Sequence, residues 1–389
     1  MRIVKVIEKT VPFGSNIANS YVNFKTMTGS VVAIVTDVFR DGKPIIGYGF
    51  NSIGRYAPTS ILHDRMIPKM MNAKPEEIYE DDGSNIDPMK VHKLLKSNEK
   101  PGGHGDRAHA VGAIDMAVWD AVAKVEEKPL YKLLAERYTG GQYDGKVYTY
   151  AAGGYYYDSD STDRLKDELK SYLELGFRDV KMKIGGASLA VDCKRIEAAL
   201  SVLGNDGSRL MVDANGRHDL KQALDCALAI KDYGLKWYEE PLDPLDYSSH
   251  AAIAEYYPGS LATGENLFSY EDIRNLFRHA GLRPHCDYMQ MDVPLSYGLV
   301  EYFKVLKLMS ELGWSSRRCI PHGGHQFCLN IAAGLHLGGN ECYPGVFQPF
   351  GGFADNIPVV DSFVTLPDIP GVGFEAKANL WNILKDIKE

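Results

Sequence analysis

The chain has 389 residues, a formal net charge of −8, and 45% hydrophobic and 24% charged residues. This composition predicts a globular protein of two or three domains with a large core, and the acidic balance argues against nucleic acid as a partner. Residues 1–9 carry charge throughout, and no apolar run approaches the roughly 20 residues that span a membrane, so we expect neither a signal peptide nor a membrane partner. The six scattered cysteines, with no Cys-x-x-Cys pair, indicate a reducing, cytoplasmic location.

The first 50 residues predict antiparallel strands joined by turn signals. These strands are expected at 3–10, 21–26, 31–39 and 44–50. Two loops rich in Gly, Ser and Asn, at 13–16 and 51–56, are either plain turns or mobile lids.

A helical pattern follows at 106–127, with Asp106 as its expected N-cap and Pro129 just beyond its end. Strands followed by helices are typical of an α+β unit. We therefore predict a first domain over residues 1–140.

From about residue 146, short apolar segments alternate with amphipathic helical patterns such as 188–203 and 220–233. This alternation predicts a parallel sheet, and about eight strands in roughly 200 residues favour a closed barrel over an open sheet. The strands are expected at 147–151, 179–184, 210–213, 235–239, 261–265, 287–292, 318–322 and 336–341. We predict a barrel domain over 141–367 and a tail, 368–389, that returns to the first domain.

One predicted strand, at 179–184, has an unusual polar face. Side chains alternate along a strand, so its apolar residues share one face while Lys181 and Lys183 share the other. Taken alone, this pattern more commonly describes an edge strand with lysines in solvent. In a barrel, the same pattern directs both lysines toward a site at the C-terminal end of the strands.

Most predicted barrel strands end in an ionisable residue. After Lys183 these residues are Asp213, Glu239, Glu265, Asp292 and His322, at steps of 30, 26, 26, 27 and 30 residues. Each step matches one βα unit, so these side chains should meet at the face where barrel active sites are built. Such a ring requires partner charges or a metal to offset the cost of burial.

Three consecutive strands end in the carboxylates Asp213, Glu239 and Glu265. Hard oxygen ligands on neighbouring strands, with room for water and substrate, describe a Mg²⁺ site. Any one of them alone would more commonly cap the following helix. Their regular spacing favours the metal site.

His322 has a partner at the end of the preceding predicted strand. Asp292 is placed to accept the imidazole Nδ1–H, which would set the tautomer and orientation of the ring. The His-x-x-His spacing of His322 and His325 is also compatible with a zinc site. No further His or Cys lies at the spacing that such a site would need, so zinc is disfavoured.

Together these motifs resemble the enolase superfamily, in its mandelate-racemase-like group, over the whole chain. The motifs are Lys-x-Lys at 181–183, Asp-x-Asn at 213–215, Glu-Glu-Pro at 239–241, Gly-Glu-Asn at 264–266, Asp292 and His322. The resemblance implies an α/β fold, namely a modified (β/α)7β TIM barrel. It also implies an α+β capping domain formed by the N-terminal part and the C-terminal tail.

The resemblance also implies roles for the ring of residues. The three strand-end carboxylates would bind Mg²⁺, and Lys183 and the His322–Asp292 dyad would be the two acid/base groups. Lys181 would assist Lys183, and Glu341 would be the acid of the eighth strand. A homo-oligomer is implied as well.

The implied reaction begins with removal of a hydrogen beside a carboxylate, with Mg²⁺ stabilising the charge that develops. Lys183 is the expected base, with a pKa lowered by Lys181 and the metal. His322 would protonate the departing 3-hydroxyl, and the resulting enol would become a keto acid. We expect dehydration of an acid sugar or 2-hydroxy diacid, with D-tartrate giving oxaloacetate.

Other activities remain open from the sequence. A racemase or epimerase, or a dehydratase of another acid sugar, would use the same groups. A non-catalytic metal-binding barrel is disfavoured because every expected base and ligand is present. The candidate substrate-binding residues, from loop position and donor chemistry, are Asn51, Arg55, Tyr56 and Lys100, with Asn215 and Glu341 at the barrel.

Overall fold

The structure is a computed structural model, and it describes residues 1–157 and 161–387. The final residues of the predicted tail, 388–389, lie outside the described residues. No helix in the described ranges is long and apolar enough to cross a membrane.

The strands and helices are numbered in chain order. The strands are β1 Ile3–Pro12, β2 Thr28–Arg40, β3 Lys43–Phe50, β4 Val147–Gly153, β5 Val180–Lys183, β6 Leu210–Asp213, β7 Trp237–Glu239, β8 Leu261–Thr263, β9 Tyr288–Met289, β10 Asn340–Cys342 and β11 Phe363–Val364. The α-helices are α1 Thr59–Ile61, α2 Ile67–Met71, α3 Pro88–Leu95, α4 Asp106–Val125, α5 Leu130–Tyr138, α6 Thr162–Glu174, α7 Leu189–Val202, α8 Leu220–Ile230, α9 Tyr247–Tyr256, α10 Tyr270–His279, α11 Leu299–Glu311, α12 Gln326–Gly334 and α13 Ala378–Leu384. A π-helical stretch, Leu62–Met66, joins α1 to α2, and short 3₁₀ turns occur at Pro75–Glu77, Gly207–Arg209, Lys231–Tyr233, Ser316–Arg318 and Phe374–Ala376.

The N-terminal part is a three-stranded antiparallel sheet in the order β1-β2-β3, with α4 packed against β3. Gly47 and Gly49 of β3 lie against the backbone of α4, where a Cβ atom would collide with Ala117 and Ala113. Almost every side chain of α4 is buried. Such a helix has apolar residues all round rather than along one stripe.

The strand predicted at 21–26 is wrong. In its place, the Asn19 side chain accepts hydrogen bonds from the backbone N–H groups of Tyr21 (2.8 Å) and Val22 (2.7 Å). Side-chain bonds of this kind give the backbone an alternative to a strand ladder. The segment is therefore a loop, and Ser20 Oγ donates from it to the Ala214 carbonyl of the barrel at 3.0 Å.

Asp106 is not an N-cap, because the helix begins at Asp106 itself and Gly105 precedes it. Asp106 instead lies within the first turn of the helix. Its charge in the first turn still favours the helix N-terminus.

The second sheet is parallel and curls in the order β10-β4-β5-β6-β7-β8-β9, with β11 antiparallel to β4. In its register Lys183 of β5 pairs with Asp213 of β6, and Asp213 pairs with Glu239 of β7. The ionisable strand ends therefore lie side by side at one end of the barrel. The predicted modified TIM barrel with an α+β cap is confirmed.

The strand predicted at 318–322 is reduced to a single parallel bridge between Cys319 and Met289. Ile320 donates to the Met289 carbonyl (3.0 Å) and Gly338 donates to the Cys319 carbonyl (2.9 Å), so this segment closes the barrel between β9 and β10. Pro321 has no N–H to continue a ladder, which explains why no regular strand forms.

The C-terminal tail packs on the N-terminal part. Val372 N donates to Asp120 Oδ1 of α4 at 2.7 Å, and Lys124 Nζ lies 2.6 Å from Glu375 Oε1. The rings of Trp381 and Tyr48 meet edge to face with centroids 5.6 Å apart. The division of the chain at 140 and 367 stays a prediction.

Candidate active site

Both lysines of β5 point into the barrel. On the outer face, Val180 and Met182 join an apolar cluster that includes Leu169 of α6. On the inner face, Lys181 and Lys183 are buried, with 1% and 5% of their surface exposed. The alternative of an edge strand with solvated lysines is therefore wrong.

The two lysines have different closest carboxylates, although Lys181 Nζ also lies 3.7 Å from Asp213 Oδ2. Lys181 Nζ donates to Glu239 Oε1 at 2.5 Å and lies 2.7 Å from Glu341 Oε1. Lys183 Nζ donates to Asp213 Oδ2 in a very close contact. Each buried ammonium is thus paired, as burial of a charge requires.

The three strand-end carboxylates form one cluster. Asp213, Glu239 and Glu265 each offer an oxygen, and these oxygens lie within 4.8 Å of one another. Trp237 Nε1 (2.7 Å) and Gln290 Nε2 (3.0 Å) both donate to Glu239 Oε2, which fixes that side chain. Glu265 Oε2 is buried, and no hydrogen-bond partner for it is found among the described residues. Three hard oxygen donors, one of them unsatisfied, fit a Mg²⁺ ion.

The charges in the cluster disturb each other's titration. Burial and the neighbouring charge of Asp213 raise the pKa of Glu239 to about 8. Burial also opposes the charge of Asp213, but Lys183 and Lys181 outweigh it and lower the pKa of that carboxyl. A divalent cation among these groups would relieve their mutual repulsion.

The pKa of Lys183 is raised, whereas a lowered value was expected from Lys181 and the metal. Burial and the Lys181 charge do favour the neutral amine, but the carboxylate of Asp213 stabilises the ammonium more strongly. Lys181 acts in the expected direction, but the sequence pattern did not pair Lys183 with Asp213, whose effect is larger. The lowering by a bound metal stays a prediction.

The predicted histidine–aspartate dyad is present. His322 Nδ1 lies 2.8 Å from Asp292 Oδ2, and Asp292 Oδ1 accepts the backbone N–H of Leu295 at 2.8 Å. Burial disfavours the imidazolium, but Glu265 and Asp292 raise the pKa of His322 to about 9. The raised pKa favours the protonated ring, which is the form able to act as an acid.

A cavity with an empty volume of about 380 Å³ lies between the barrel end and the loops of the N-terminal part. From the barrel, Lys183, Asn215, Glu265 and His322 reach it. Its remaining lining residues are Asn19, Val22, Phe24, Ile53, Gly54, Arg55, Tyr155, Tyr343 and Phe347. Of the two predicted lid loops, the one at 51–56 thus borders the site, whereas the lining residues near the other, such as Asn19, follow the predicted 13–16 segment. The cavity brings the predicted acid/base pair together with one carboxylate of the predicted metal site.

The candidate substrate-binding residues divide into two groups. Asn215 and Arg55 line the cavity, and Arg55 donates to Asn266 Oδ1 in a close contact. Glu341 is fully buried, faces Lys181 and accepts from Tyr343 OH at 2.9 Å.

The other three candidates do not line the cavity. Asn51 is fully buried and uses its side chain to hold the loop backbone, because its Nδ2 donates to the carbonyls of Arg55 and Tyr56, both at 3.2 Å. Tyr56 is 53% exposed. Lys100 borders a separate cavity beside Arg107. Loop position and donor chemistry alone did not distinguish these residues from Arg55.

Tyr343, Tyr155 and Ser52 are among the residues at the site that sequence reasoning missed. Tyr343 OH lies 3.2 Å from His322 Nε2, and Tyr155 borders the cavity after β4. Tyr343 follows Glu341 by two residues, so strand alternation would have found it. Ser52 donates to Asp292 Oδ2 at 2.7 Å. The two residues are 240 positions apart in the chain, so no local sequence pattern indicates this contact.

Models of known protein families match most of the chain. The model for the enolase C-terminal domain-like family matches residues 164–380, and that for the mandelate racemase/muconate lactonizing enzyme N-terminal domain matches residues 10–135.

Individual proteins are similar along nearly the full length. An arabinonate dehydratase from Saccharolobus solfataricus is 26% identical over 387 residues, which cover 96% of each chain. An L-talarate/galactarate dehydratase from Salmonella typhimurium is 28% identical over 92% of this chain and 84% of its own. The crystal structure of a racemase from Streptomyces coelicolor A3(2) with bound magnesium superposes with a TM-score of 0.78 at 24% identity, over 98% of both chains.

Proposed function

This chain belongs to the enolase superfamily, in its mandelate racemase/muconate lactonizing enzyme group, and we propose that it is a magnesium-dependent dehydratase of D-tartrate. The observation that carries the proposal is the placement of Lys183 and His322 at one cavity beside the carboxylate cluster. Two relatives that cover most of the chain are dehydratases of acid sugars, which supports the reaction type.

Asp213, Glu239 and Glu265 would hold the metal. Mg²⁺ bound there supplies a Lewis acid that stabilises negative charge developing on the substrate carboxylate. Asp213 would then share its charge with the cation, and its hold on the Lys183 proton would weaken. Lys183 would thereby gain the neutral form that a base requires.

Lys183 takes the C2 proton of the substrate, and His322 gives a proton to the 3-hydroxyl as the C3–O bond breaks. Water leaves, and the enol that remains becomes a keto acid, which for D-tartrate is oxaloacetate. Asp292 keeps the Nδ1 proton of His322 in place, so Nε2 is the nitrogen that faces the substrate.

The cavity suits a substrate with a second carboxylate. Its empty volume is about 380 Å³, and apolar side chains such as Phe24 and Phe347 form part of its wall. Arg55 provides a guanidinium that suits a second carboxylate. D-tartrate carries two carboxylates on a four-carbon chain and matches these features.

A substrate screen tests this proposal. Purified protein with Mg²⁺ is incubated with the tartrate stereoisomers and with longer acid sugars, and keto-acid formation is measured. We expect oxaloacetate from D-tartrate with a higher kcat/KM than for any hexarate. Turnover of a longer acid sugar in preference to every tartrate would overturn the substrate assignment but leave the dehydratase class.

A variant of His322 tests whether Lys183 acts as the base and His322 as the acid. His322→Asn should still exchange the C2 hydrogen of D-tartrate with deuterium from D₂O, because Lys183 remains. Oxaloacetate formation should fall by about 10²–10⁴, the usual contribution of a positioned general acid. NMR of the recovered substrate measures exchange, and a coupled assay measures oxaloacetate. Unchanged oxaloacetate formation would contradict the role of His322.

A racemase or epimerase is the second candidate, because Lys183 and His322 border the same cavity and could remove and return a proton at C2. Inversion at C2 by the unmodified protein, without any keto acid, would favour that activity over dehydration.

A further inference from the structure

The hydrogen bonds of Asp292 extend beyond His322. Ser52 Oγ donates to Asp292 Oδ2 at 2.7 Å and lies 3.2 Å from His325 Nε2. Ser52, Asp292 and His325 are fully buried. Ser52 belongs to the loop after β3, so a residue of the N-terminal part joins the dyad of the barrel.

The direction of each hydrogen bond in this chain follows from chemistry. A carboxylate only accepts, so the single hydroxyl proton of Ser52 must go to Asp292. His325 Nε2 must then donate to Ser52 Oγ, since Ser52 has no second proton to give. His325 Nδ1 is left as an acceptor, and the backbone N–H of Cys328 points to it at 3.5 Å. Burial lowers the pKa of His325 to about 4, which keeps the ring in the neutral form that this arrangement needs.

Gly323 provides the space in which these groups meet. A Cβ atom on Gly323 would lie 2.9 Å from both Asp292 Oδ2 and His325 Nε2 and 3.0 Å from Ser52 Oγ. Its φ of +113° is also unfavourable for any other residue. Phe50, two residues before Ser52, packs edge to face on the His325 ring with centroids 5.2 Å apart. Contacts on several sides thus fix the His325 ring and the Ser52 hydroxyl.

We propose that Ser52 and His325 are positioning residues that complete the His322–Asp292 dyad as a four-membered hydrogen-bonded chain. His325 orients the hydroxyl of Ser52, Ser52 holds Oδ2 of Asp292, and Asp292 orients the His322 ring by accepting its Nδ1–H. His325 thereby has a function that requires no metal. The general acid is complete only when the loop after β3 is docked on the barrel. The expected effect on catalysis rests on the proposed dehydration, whereas the expected position of the proton on His325 does not.

Two variants remove the Ser52 hydroxyl in different ways. Ser52 has a left-handed backbone with a φ of +60°, so Ser52→Gly relaxes the backbone while Ser52→Ala keeps the side-chain volume closer to the original. In both, kcat for dehydration should fall about 10- to 100-fold, part of what a positioned general acid contributes, with KM changed less than twofold. Exchange of the C2 hydrogen should fall much less, because Lys183 is untouched.

Ser30→Ala is the matched control. Ser30 is also fully buried in the N-terminal part, and its hydroxyl contacts Thr59 Oγ1 at 3.4 Å rather than the dyad. Loss of this hydroxyl should leave the ratio of dehydration to exchange unchanged. An equal change of that ratio in Ser30→Ala and Ser52→Ala would show a general effect of the loop and overturn the proposal.

Spectra of ¹⁵N-histidine-labelled protein provide the test that does not depend on activity. In the unmodified protein at pH 7, His325 should be neutral with its proton on Nε2, and in Ser52→Ala the His325 and His322 signals should both shift. His325→Gln identifies the His325 signal. A proton on Nδ1 of His325, or an unmoved His322 signal in Ser52→Ala, would overturn the proposal. If D-tartrate is not a substrate but the tautomers are as expected, the proposed function fails and the hydrogen-bonded chain stands.

Discussion

Lys181 and Lys183 lie two residues apart on one face of β5 but serve different carboxylates. Lys183→Ala should abolish both turnover and exchange of the C2 hydrogen, because the base is gone. Lys181→Ala should retain some activity with a raised basic pKa in the pH–rate profile, since a like charge beside Lys183 has been removed. The two rates, measured from pH 6 to 10, check this. Normal turnover by Lys183→Ala would show that the base is another residue.

Lys181→Ala should also lower the free energy of unfolding, because Lys181 has buried carboxylate partners. Its ammonium lies against Glu239 and Glu341, so Lys181→Ala leaves two buried carboxylates without their cation. Removal of one partner from a buried ion pair commonly costs about 3–5 kcal/mol. The variant should therefore unfold at a lower urea concentration than Lys183→Ala, which deprives only Asp213 of a close partner.

Glu239 is held by two donors, so its substitution should affect the metal more than the fold. Glu239→Gln removes one of three anionic ligands, and Mg²⁺ affinity measured by calorimetry should fall by about tenfold or more. Glu301→Gln is the matched control, because Glu301 is equally buried but lies beside Lys96 and Lys304, away from the cluster. The control should bind Mg²⁺ normally. Equal losses in both variants would exclude Glu239 as a ligand.

The contact between α4 and the segment after β9 joins the N-terminal part to the dyad. A Cβ atom on Gly112 of α4 would collide with the backbone of Pro294, two residues after Asp292. On the same helix, Asp115 Oδ2 accepts the backbone N–H of Leu299 at the start of α11 at 2.6 Å. The position of Asp292 therefore depends on how closely α4 approaches.

Gly112→Ala should destabilise the protein and reduce dehydration. Forcing a methyl group into a packed interface costs about 1–3 kcal/mol, although alanine favours the helix itself. The free energy of unfolding and the ratio of dehydration to C2 exchange are the measurements. Gly105→Ala, where a Cβ would meet nothing within 4 Å, is the control. A stable Gly112→Ala with unchanged activity would contradict the close packing.

The folded protein as a whole also holds several histidines without charge. Burial lowers the pKa of His109 to about 3 and those of His250 and His325 to about 4. The unfolded chain binds protons on these rings near pH 6.5, and the folded chain does not. Their contribution to stability is therefore present above pH 6.5 and is lost as the pH falls toward 4.

Substitution of one of these histidines should make the free energy of unfolding depend less steeply on pH. Between pH 6.5 and 4, unfolding of His250→Gln should take up about one proton fewer than unfolding of the unmodified protein. Urea unfolding at a series of pH values measures this slope. An unchanged slope in His250→Gln would show that His250 is protonated in the folded state.

Much of the barrel could be predicted from the sequence, because the patterns that indicate its strands and helices are local. The alternation in β5 separates Lys181 and Lys183 from their apolar neighbours, and the pitch of one βα unit aligns Asp213, Glu239 and Glu265. These patterns repeat within a few residues or within one βα unit, so they can be recognised without knowledge of the fold. The family models and the parallel sheet agree with them.

The loops and the pairing of charges depended on the three-dimensional arrangement. Asn51 and Ser52 are neighbours of similar chemistry, yet Asn51 ties its own loop together while Ser52 reaches a carboxylate 240 residues away. Likewise, the local strand pattern did not show that Asp213 would hold the proton of Lys183. Contacts between distant segments depend on how the barrel closes and how the N-terminal part docks, and neither leaves a periodic trace in the chain. The chemistry available to the site was thus readable from the sequence, whereas the partner of each charged group was set by folding, because hydrogen bonds and ion pairs act over a few ångströms in space.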